Sequence, residues 1–235
     1  MSLRIRDLHS PNQDDRPAGV PIDMLILHYT GMKTARDAID RLRDPAARVS
    51  SHYVVDEDAA ILRLVPEGRQ AFHAGKSYWR GNTELNGRSV GIEVVNPGHE
   101  WRYRNFPALQ MAAVCDLCLE IIERHAIPAW NVVAHSDVAP DRKEDPGEKF
   151  DWQGLAENGV GLLPEMSAAP VETNEVWAML AEIGYRTDLE LAVVLRAFQR
   201  HWRQESFDGR LDAETLARLA GVRQRIRSLL DANRS

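Results

Sequence analysis

Three short runs of apolar residues without polar alternation constrain the fold of this chain most strongly. They cover residues 24–27, 90–95 and 130–134, and the second run is interrupted by a single acid, Glu93. A run of this length without alternation is typical of a strand that is covered on both faces. The chain must therefore build a sheet of short strands that is buried between two layers.

Helical periodicity fills the intervals between these strands. Residues 34–43 place apolar side chains three or four positions apart, and residues 107–126 form the longest helical pattern. Residues 50–56 and 60–65 have the composition of two strands joined by a turn, which predicts a hairpin. The order strand, helix, hairpin, strand, helix, strand predicts an α/β fold with a mixed central sheet flanked by helices.

The C-terminal quarter of the chain predicts a separate helical unit. Residues 159–173 are rich in proline and small residues and lack an apolar period, which is typical of a linker. Beyond them the apolar spacing predicts helices at residues 174–184, 188–202 and 213–230, with a break near Gly221 and N-caps at Asp188 and Asp212. We therefore predict an α/β domain over residues 1–160, a linker over 161–173 and a small all-α domain of three helices over 174–235.

The two cysteines, Cys115 and Cys118, lie three residues apart in the longest helical pattern. A C-x-x-C pair can be a redox motif or half of a metal site. No second cysteine pair follows, and both positions are apolar in the helical repeat, so two buried core thiols are favoured. The cysteine count excludes a disulfide-stapled secreted fold.

The charge pattern and the N-terminus bear on partners and location. The net charge is -6 and the cations are interspersed with acids, which argues against nucleic acid or an anionic membrane as a partner. No apolar run of about 18 residues is present, so no transmembrane segment is expected. Residues 10–19 read as a solvated leader, and residues 1–21 lack the apolar core of a signal peptide. The expected location is the cytoplasm, or the periplasm if a leader has been removed.

Four residues stand out as candidates for chemistry. His28 and His135 each end a predicted strand, Asp145 follows in the loop after the second strand, and Glu93 lies inside a strand. Two imidazoles and one carboxylate are the protein ligands of a catalytic zinc, which keeps a fourth position open for water. Glu93 is then the candidate to carry a proton, and Lys143 is the candidate to stabilise an oxyanion.

Each of these residues also has an ordinary structural interpretation. The two histidines fit satisfied positions at strand ends, and Glu93 fits a strand with one face in solvent. Asp145 before Pro146-Gly147 is common turn chemistry, and Lys143 beside Glu144 is commonly a solvated ion pair. Spacing alone leaves these alternatives open because the chain has no compact metal motif such as H-E-x-x-H.

Four motifs in this order resemble those of the type 2 zinc N-acetylmuramoyl-L-alanine amidases. The motifs are Leu27-His28-Tyr29-Thr30, Phe72-His73-Ala74-Gly75, Gly91-Ile92-Glu93-Val94-Val95-Asn96, and His135-Ser136-Asp137-Val138-Ala139-Pro140 with Arg142-Lys143-Glu144-Asp145-Pro146-Gly147. That family also includes phage lysozyme-type amidases and peptidoglycan recognition proteins. The similarity spans residues 24–155, and residues 77–81 resemble its AmiD-like branch. Asp141 stands where many members have glycine.

The resemblance implies an activity and a role for each residue. It implies one zinc ion held by His28, His135 and Asp145, with Glu93 as general base and acid and Lys143 stabilising the tetrahedral intermediate. The implied reaction cleaves the amide between N-acetylmuramic acid, or its anhydro form, and L-alanine in peptidoglycan stem peptides. The residues expected to contact the substrate are His73, Trp79, Arg80 and Asn96. A buried structural role remains an alternative for His73, and peptidoglycan binding without cleavage remains an alternative function.

The C-terminal helices resemble a three-helix peptidoglycan-binding domain. The similar features are Phe198-Gln199 on a helix, the turn at Asp208-Gly209, and Asp212 followed three residues later by Thr215. A generic helical cap on the amidase is the alternative. A wall-binding tail favours polymeric peptidoglycan as the partner, whereas a cytoplasmic location favours soluble muropeptides. The sequence does not decide between these two substrates.

Overall fold

The structure, a computed structural model, describes residues 3–167 and 172–232. Residues 168–171 of the predicted linker, residues 1–2 and residues 233–235 of the predicted helical domain lie outside this description. The described strands are β1 (Ile5–Asp7), β2 (Gln13–Asp15), β3 (Met24–Tyr29), β4 (Tyr53–Val55), β5 (Ile61–Arg63), β6 (Arg69–Ala71), β7 (Ser89–Val94) and β8 (Val132–Ala134). The described α-helices are α1 (Ala35–Arg43), α2 (Ala108–His125), α3 (His135–Val138), α4 (Trp152–Glu157), α5 (Val176–Ile183), α6 (Leu191–Trp202) and α7 (Ala213–Ala232).

Six of the strands form one mixed sheet in the order β1-β5-β4-β7-β3-β8. Strand β3 lies between β7 and β8 and is parallel to both, and β4 is parallel to β7. Strands β4 and β5 form the expected hairpin and pair antiparallel. The predicted mixed sheet flanked by helices is therefore confirmed. Its centre is a set of parallel strands whose carboxyl ends lie at one edge.

The two faces of the sheet are covered by different layers. On β3, Leu25 and Leu27 belong to a buried cluster with residues of α2 and α4, whereas Met24 and Ile26 belong to another cluster. That second cluster also contains buried side chains of α5, α6 and α7. Both faces of β3 are thus buried, which explains its uninterrupted apolar run. Each fully buried aliphatic side chain of this kind contributes about 1.5–3 kcal/mol.

The C-terminal helices share this core with the sheet domain. Leu180 and Phe198 lie in the same buried cluster as Ile26, and the Trp79 and Tyr185 rings meet edge to face with centroids 5.1 Å apart. The motif that resembles a peptidoglycan-binding domain is internal to the helices. Gln199 accepts a hydrogen bond from the Gly209 amide at 2.7 Å and donates to Thr215 at 3.0 Å. This motif therefore fixes the fold of the helices.

The N-terminal segment is more ordered than the sequence predicts, so the expectation of a solvated leader over residues 10–19 is wrong. Strand β2 pairs antiparallel with β6, and β1 pairs parallel with β5 at the edge of the main sheet. The Arg16 guanidinium donates to the carbonyl oxygens of Glu67, Asn86, Gly87 and Ser89. These three-residue strands carry polar side chains, so they give no periodic signal.

Helix α7 continues past Gly221, and the predicted break there is wrong. A side chain at Gly221 would lie 1.9 Å from the carbonyl oxygen of Glu165, so this glycine allows another stretch of backbone to approach the helix. Asp212 accepts from the Thr215 amide as an N-cap does. Asp188 instead pairs with Arg186, and the cap position before α6 is Glu190. An ion pair with a neighbour thus replaces the expected cap.

Two further expectations can be compared with the structure. Cys118 is fully buried and Cys115 half-buried, both pack in the cluster beneath α2, and both are free thiols, in line with core cysteines. In residues 3–167 and 172–232, no helix is both long and apolar enough to cross a membrane.

Candidate metal centre and active-site cleft

His28 and Glu93 are paired residues of neighbouring strands. The parallel register of β3 and β7 sets His28 opposite Glu93. Side chains at paired positions of adjacent strands project from the same face of a sheet. The backbone pairing therefore brings a potential ligand and a potential acid/base group to one side of the sheet, near its carboxyl edge.

His135 and Asp145 complete a cluster around His28. Leu27 is paired with Ala134 on β8, so His135, which begins α3, follows at the level of His28. The Ser136 amide donates to the Asp145 carbonyl oxygen at 2.9 Å, which returns the loop to the strand end. Nδ1 of His28 and Nδ1 of His135 are 2.9 Å apart, and each lies 3.1 Å from Oδ2 of Asp145. All three residues are buried.

The three converging atoms fit a metal ion. The other ring nitrogen of His135, Nε2, lies 3.1 Å from the Ala74 carbonyl oxygen, which can only accept a hydrogen bond. Nε2 therefore carries the proton, and Nδ1 turns a lone pair towards the cluster. Two imidazole nitrogens and one carboxylate oxygen are a donor set that suits zinc. In the described part of the chain this is the one group of histidines, cysteines and acids with such geometry.

Electrostatics favour the ligand-competent ionisation states. Burial and the neighbouring His135 lower the pKa of His28 to about 4, so its imidazole is neutral near pH 7. Burial opposes ionisation of Asp145, but His135 and His28 outweigh it and hold the pKa of that carboxyl far below its usual range. The cluster thus presents an uncharged His28 and a carboxylate, the states in which these groups bind metals.

Glu93 has a buried carboxyl oxygen, Oε2, that accepts no hydrogen bond from the described residues. Burial and the charge of Asp145 raise the pKa of Glu93 well above its usual value, while Lys143 opposes the shift. A carboxyl group with a raised pKa in a cleft is suited to accepting and returning a proton near neutral pH.

These groups open into one cleft of about 410 Å³. Glu93, Lys143, His135 and Asp145 all line it. The structure thus brings the predicted acid/base residue and the predicted oxyanion-stabilising cation to the same cavity as the ligand cluster. Their separation in the sequence hides this proximity.

The four residues expected to contact the substrate are placed differently from one another. His73 lines the cleft, yet it is buried and its Nδ1 lies 3.0 Å from Nε2 of His28. Trp79 packs on Tyr185, and Arg80 donates to the carbonyl oxygens of Glu182 and Ile183.

Asn96 is buried, donates to the Arg104 carbonyl oxygen and accepts from the Gly98 amide. Within the described residues, the lining of the cleft does not include Trp79, Arg80 or Asn96. Their side chains hold the fold together, which speaks against direct substrate contact. That contact stays a prediction.

Sequence reasoning missed the role of Asp137. This buried carboxylate accepts from the Ala134 amide at 2.8 Å and from the Tyr185 hydroxyl at 2.5 Å, and its Oδ2 lies 2.6 Å from Nδ1 of His201. Tyr185 and His201 belong to the C-terminal helical part. The only signal in the sequence is an acid two residues after His135 in a buried stretch.

Comparison with known proteins places the chain in a family. The family model described as N-acetylmuramoyl-L-alanine amidase matches residues 18–148, more than half of the chain. N-acetylmuramoyl-L-alanine amidase AmiD of Escherichia coli (strain K12) is 38% identical, and the similarity covers 83% of this chain and 80% of AmiD. 1,6-Anhydro-N-acetylmuramyl-L-alanine amidase AmpD of the same organism is 33% identical, over 63% of this chain and 87% of AmpD.

Solved structures agree with these sequence similarities. The complex of E. coli AmiD with the substrate anhydro-N-acetylmuramic acid-L-Ala-D-gamma-Glu-L-Lys matches with a TM-score of 0.79 and 36% identity, over 89% of this chain and 92% of that chain. The crystal structure of AmpDh3 from Pseudomonas aeruginosa matches with a TM-score of 0.80 and 30% identity, over 88% of this chain and 93% of that chain. The chain therefore belongs to the N-acetylmuramoyl-L-alanine amidase family.

Proposed function

We propose that this protein is a zinc amidohydrolase that cleaves the bond between N-acetylmuramic acid, or its anhydro form, and the L-alanine of a peptidoglycan stem peptide. The observation that carries the proposal is the buried cluster of His28, His135 and Asp145 beside a cleft that Glu93 lines, with Oε2 of Glu93 lacking a hydrogen-bond partner among the described residues. Membership of the amidase family supports the same reaction.

Zinc would be held by Nδ1 of His28, Nδ1 of His135 and a carboxylate oxygen of Asp145. When bound, zinc supplies Lewis-acid chemistry, which polarises an amide carbonyl and makes an attacking water more acidic. The three residues are buried, and electrostatic interactions are stronger in such surroundings than in water.

Glu93 carries the proton in this proposal. Its carboxylate accepts a proton from the attacking water as the new carbon–oxygen bond forms. The same carboxyl group gives that proton to the amide nitrogen as the carbon–nitrogen bond breaks, so L-alanine leaves with a neutral amine. The raised pKa of Glu93 suits this double role because the group must hold the proton between the two transfers.

Lys143 stabilises the negative charge that develops on the attacked carbonyl oxygen. Lys143 lines the same cleft as Glu93 and Asp145. A cation held beside a developing oxyanion stabilises the transition state more than the ground state, which is the condition for a faster reaction.

Soluble anhydro-muropeptides are the substrates that we propose first. Solved structures show E. coli AmiD in complex with the substrate anhydro-N-acetylmuramic acid-L-Ala-D-gamma-Glu-L-Lys and AmpDh3 in complex with an anhydromuramic pentapeptide. The division into a catalytic domain over residues 1–160, a linker over 161–173 and a peptidoglycan-binding-like helical domain over 174–235 is proposed with it. Binding of polymeric wall by that helical domain, and a cytoplasmic location, also remain predictions.

The test uses the full chain, zinc and a purified anhydro-muropeptide, with products weighed by mass spectrometry. We expect the wild-type chain to release the free stem peptide. Glu93→Gln should bind zinc and muropeptide as before but lower kcat by about 10²–10⁴-fold, the usual contribution of general acid–base catalysis. Binding without release by the wild type would instead favour a recognition-type protein, and full turnover by Glu93→Gln would exclude the role given to Glu93.

A further inference from the structure

The dipeptide His73-Ala74 contacts both histidines of the ligand cluster from behind. Nδ1 of His73 lies 3.0 Å from Nε2 of His28, and the Ala74 carbonyl oxygen lies 3.1 Å from Nε2 of His135. Both contacts involve the ring nitrogen that faces away from the cluster. One short segment therefore touches two ligands that are more than a hundred residues apart in the sequence.

The hydrogen bonds behind His28 have one consistent direction. The Ser89 hydroxyl donates its single proton to the Leu85 carbonyl oxygen at 2.6 Å. Ser89 Oγ can then only accept from Nε2 of His73, 3.2 Å away, which makes Nδ1 of a neutral His73 the acceptor. Nε2 of His28 must donate to that acceptor, and Nδ1 of His28 is left with its lone pair directed at the cluster.

The segment is held in place from two sides. The Asn86 side-chain oxygen accepts hydrogen bonds from the amides of His73 and Ala74, at 3.2 and 2.8 Å. Gly91 on β7 lies directly against the His73 ring, where a Cβ atom would approach its Cγ atom to 2.4 Å. Any other residue at Gly91 would displace the ring, so this glycine makes room for His73 in the sheet.

We infer that His73-Ala74 is a positioning element that sets the tautomers of both metal-binding histidines, so that His28 and His135 each present Nδ1 to the ion. The inference rests on the zinc site of the proposed function. His73 acts through His28, and its buried ring is a support for the ligand. Ser89 acts one step further back, because it decides which nitrogen of His73 is the acceptor.

The variants separate hydrogen bonding from packing. His73→Leu fills the space but removes the acceptor, whereas the side-chain oxygen of His73→Asn takes the position of Nδ1 and keeps it. Ser89→Ala removes the hydroxyl that orients His73. Ser51→Ala is the matched control, because the Ser51 hydroxyl is equally buried and donates to the Tyr53 carbonyl oxygen, outside these contacts.

Zinc affinity of the full chain, measured by competition with a chelator, gives the first readout. Loss of a second-layer contact behind a metal-binding histidine weakens metal binding by about 10–100-fold, which we expect for His73→Leu. Ser89→Ala should weaken zinc binding less than His73→Leu does. His73→Asn should retain most of the wild-type zinc affinity, and Ser51→Ala should match the wild type. Equal losses in His73→Leu and His73→Asn would overturn the hydrogen-bond role, as would wild-type affinity in His73→Leu.

Imidazole ¹⁵N–¹H correlation spectra of the full chain before zinc is added give the second readout. We expect His28 and His135 to be protonated at Nε2 in the wild type, and His28 to become a mixture of tautomers in Ser89→Ala, a variant that should fold normally. An unchanged His28 signal in Ser89→Ala and His73→Leu would overturn the inference. Because this readout needs neither zinc nor turnover, failure of the wild type to bind zinc or cleave would count against the proposed function alone.

Discussion

The two halves of the proposed metal-binding cluster are held in place by different parts of the molecule. His28 lies in a central strand, opposite Glu93 in the next strand, so sheet register fixes both. His135 and Asp145 belong to the segment that follows the edge strand β8, which consists of the short helix α3 and the loop after it; sheet pairing ends one residue before His135. The site therefore combines a sheet half, His28 and Glu93, whose positions are set by strand pairing, with a loop half, His135 and Asp145, whose positions depend on other contacts.

The loop half receives its contacts from the C-terminal helical part. Tyr185 and His201 contact Asp137, and Arg200 pairs with Glu144 at 3.0 Å, one residue before the proposed ligand Asp145. Gln204 adds hydrogen bonds to two carbonyl oxygens just after the ligand loop. A region that resembles a wall-binding domain thus also supports the segment that carries two of the proposed ligands.

The largest loss of stability in the loop half is expected when the buried carboxylate of Asp137 is removed. Asp137→Ala leaves the Tyr185 hydroxyl, the Ala134 amide and the His201 ring without their acceptor. Buried groups left unpaired cost about 1–3 kcal/mol each, so we expect the free energy of unfolding to fall by about 3 kcal/mol or more. Urea denaturation measures this value, and a loss below that of an average surface substitution would show that the contacts do not hold the loop.

A second prediction concerns the loss of stability in acid, which we expect to depend on a buried histidine of the sheet domain, His52. Burial, followed by the charge of Arg16, lowers the pKa of His52 to about 3, so the ring stays neutral in the folded chain. Between about pH 6.5 and that value the unfolded chain binds a proton that the folded chain does not. Stability therefore falls as the pH is lowered, by about 1.4 kcal/mol per pH unit for this residue.

The check is urea denaturation of the wild type and of His52→Asn at several values between pH 4.5 and 7. Asparagine does not titrate, and its side-chain oxygen can still accept from the Gly91 amide as Nδ1 of His52 does. The variant should show a shallower dependence of stability on pH. Identical slopes for the two proteins would mean that His52 is not the buried group that causes the acid loss.

A milder change tests the contact between the loop and the helices. Tyr185→Phe keeps the ring against Trp79 and removes only the hydroxyl that donates to Asp137. A hydrogen bond to a charged group contributes about 1.5–3 kcal/mol, so the expected loss of stability is smaller than for Asp137→Ala. We also expect weaker zinc binding, because Asp137 lies two residues from His135. Unchanged zinc affinity would show that the contact between Tyr185 and Asp137 contributes to folding and does not affect metal binding.

The smallest effect is expected for the ion pair between Arg200 and Glu144, which has one exposed member. Arg200→Gln removes one partner of Glu144 and leaves His99, 3.9 Å from the same carboxylate; the Glu144 side chain is 46% exposed and that of Arg200 is 12% exposed. The exposed carboxylate of this pair is screened by water and salt, so we expect a loss of about 1 kcal/mol. Thermal unfolding at low and high salt should show a small difference that shrinks with salt. A loss as large as that of Tyr185→Phe would place Arg200 among the main supports of the loop.

The sequence by itself predicted the central strands, the main helices and the residues of the cluster. Uninterrupted apolar runs require strands that are buried on both faces, which located the ends where His28 and His135 lie. The resemblance of the motifs around Glu93, Lys143 and Asp145 to those of the amidases assigned expected roles to these positions, and the structure brings all five residues close together. These features are local in sequence, because apolar period and motif spacing are properties of a short stretch.

Only the tertiary structure decided how the site is supported. The sequence predicts a substrate contact for His73, whereas the structure places its ring behind His28. The sequence assigns no role to Asp137, whereas the structure shows contacts with Tyr185 and His201. Gly221 reads as a helix break until the backbone at Glu165 is seen against it. In each case the role of the residue depends on a partner from a distant part of the chain. Folding brings the two together, and a single sequence gives no distance between them.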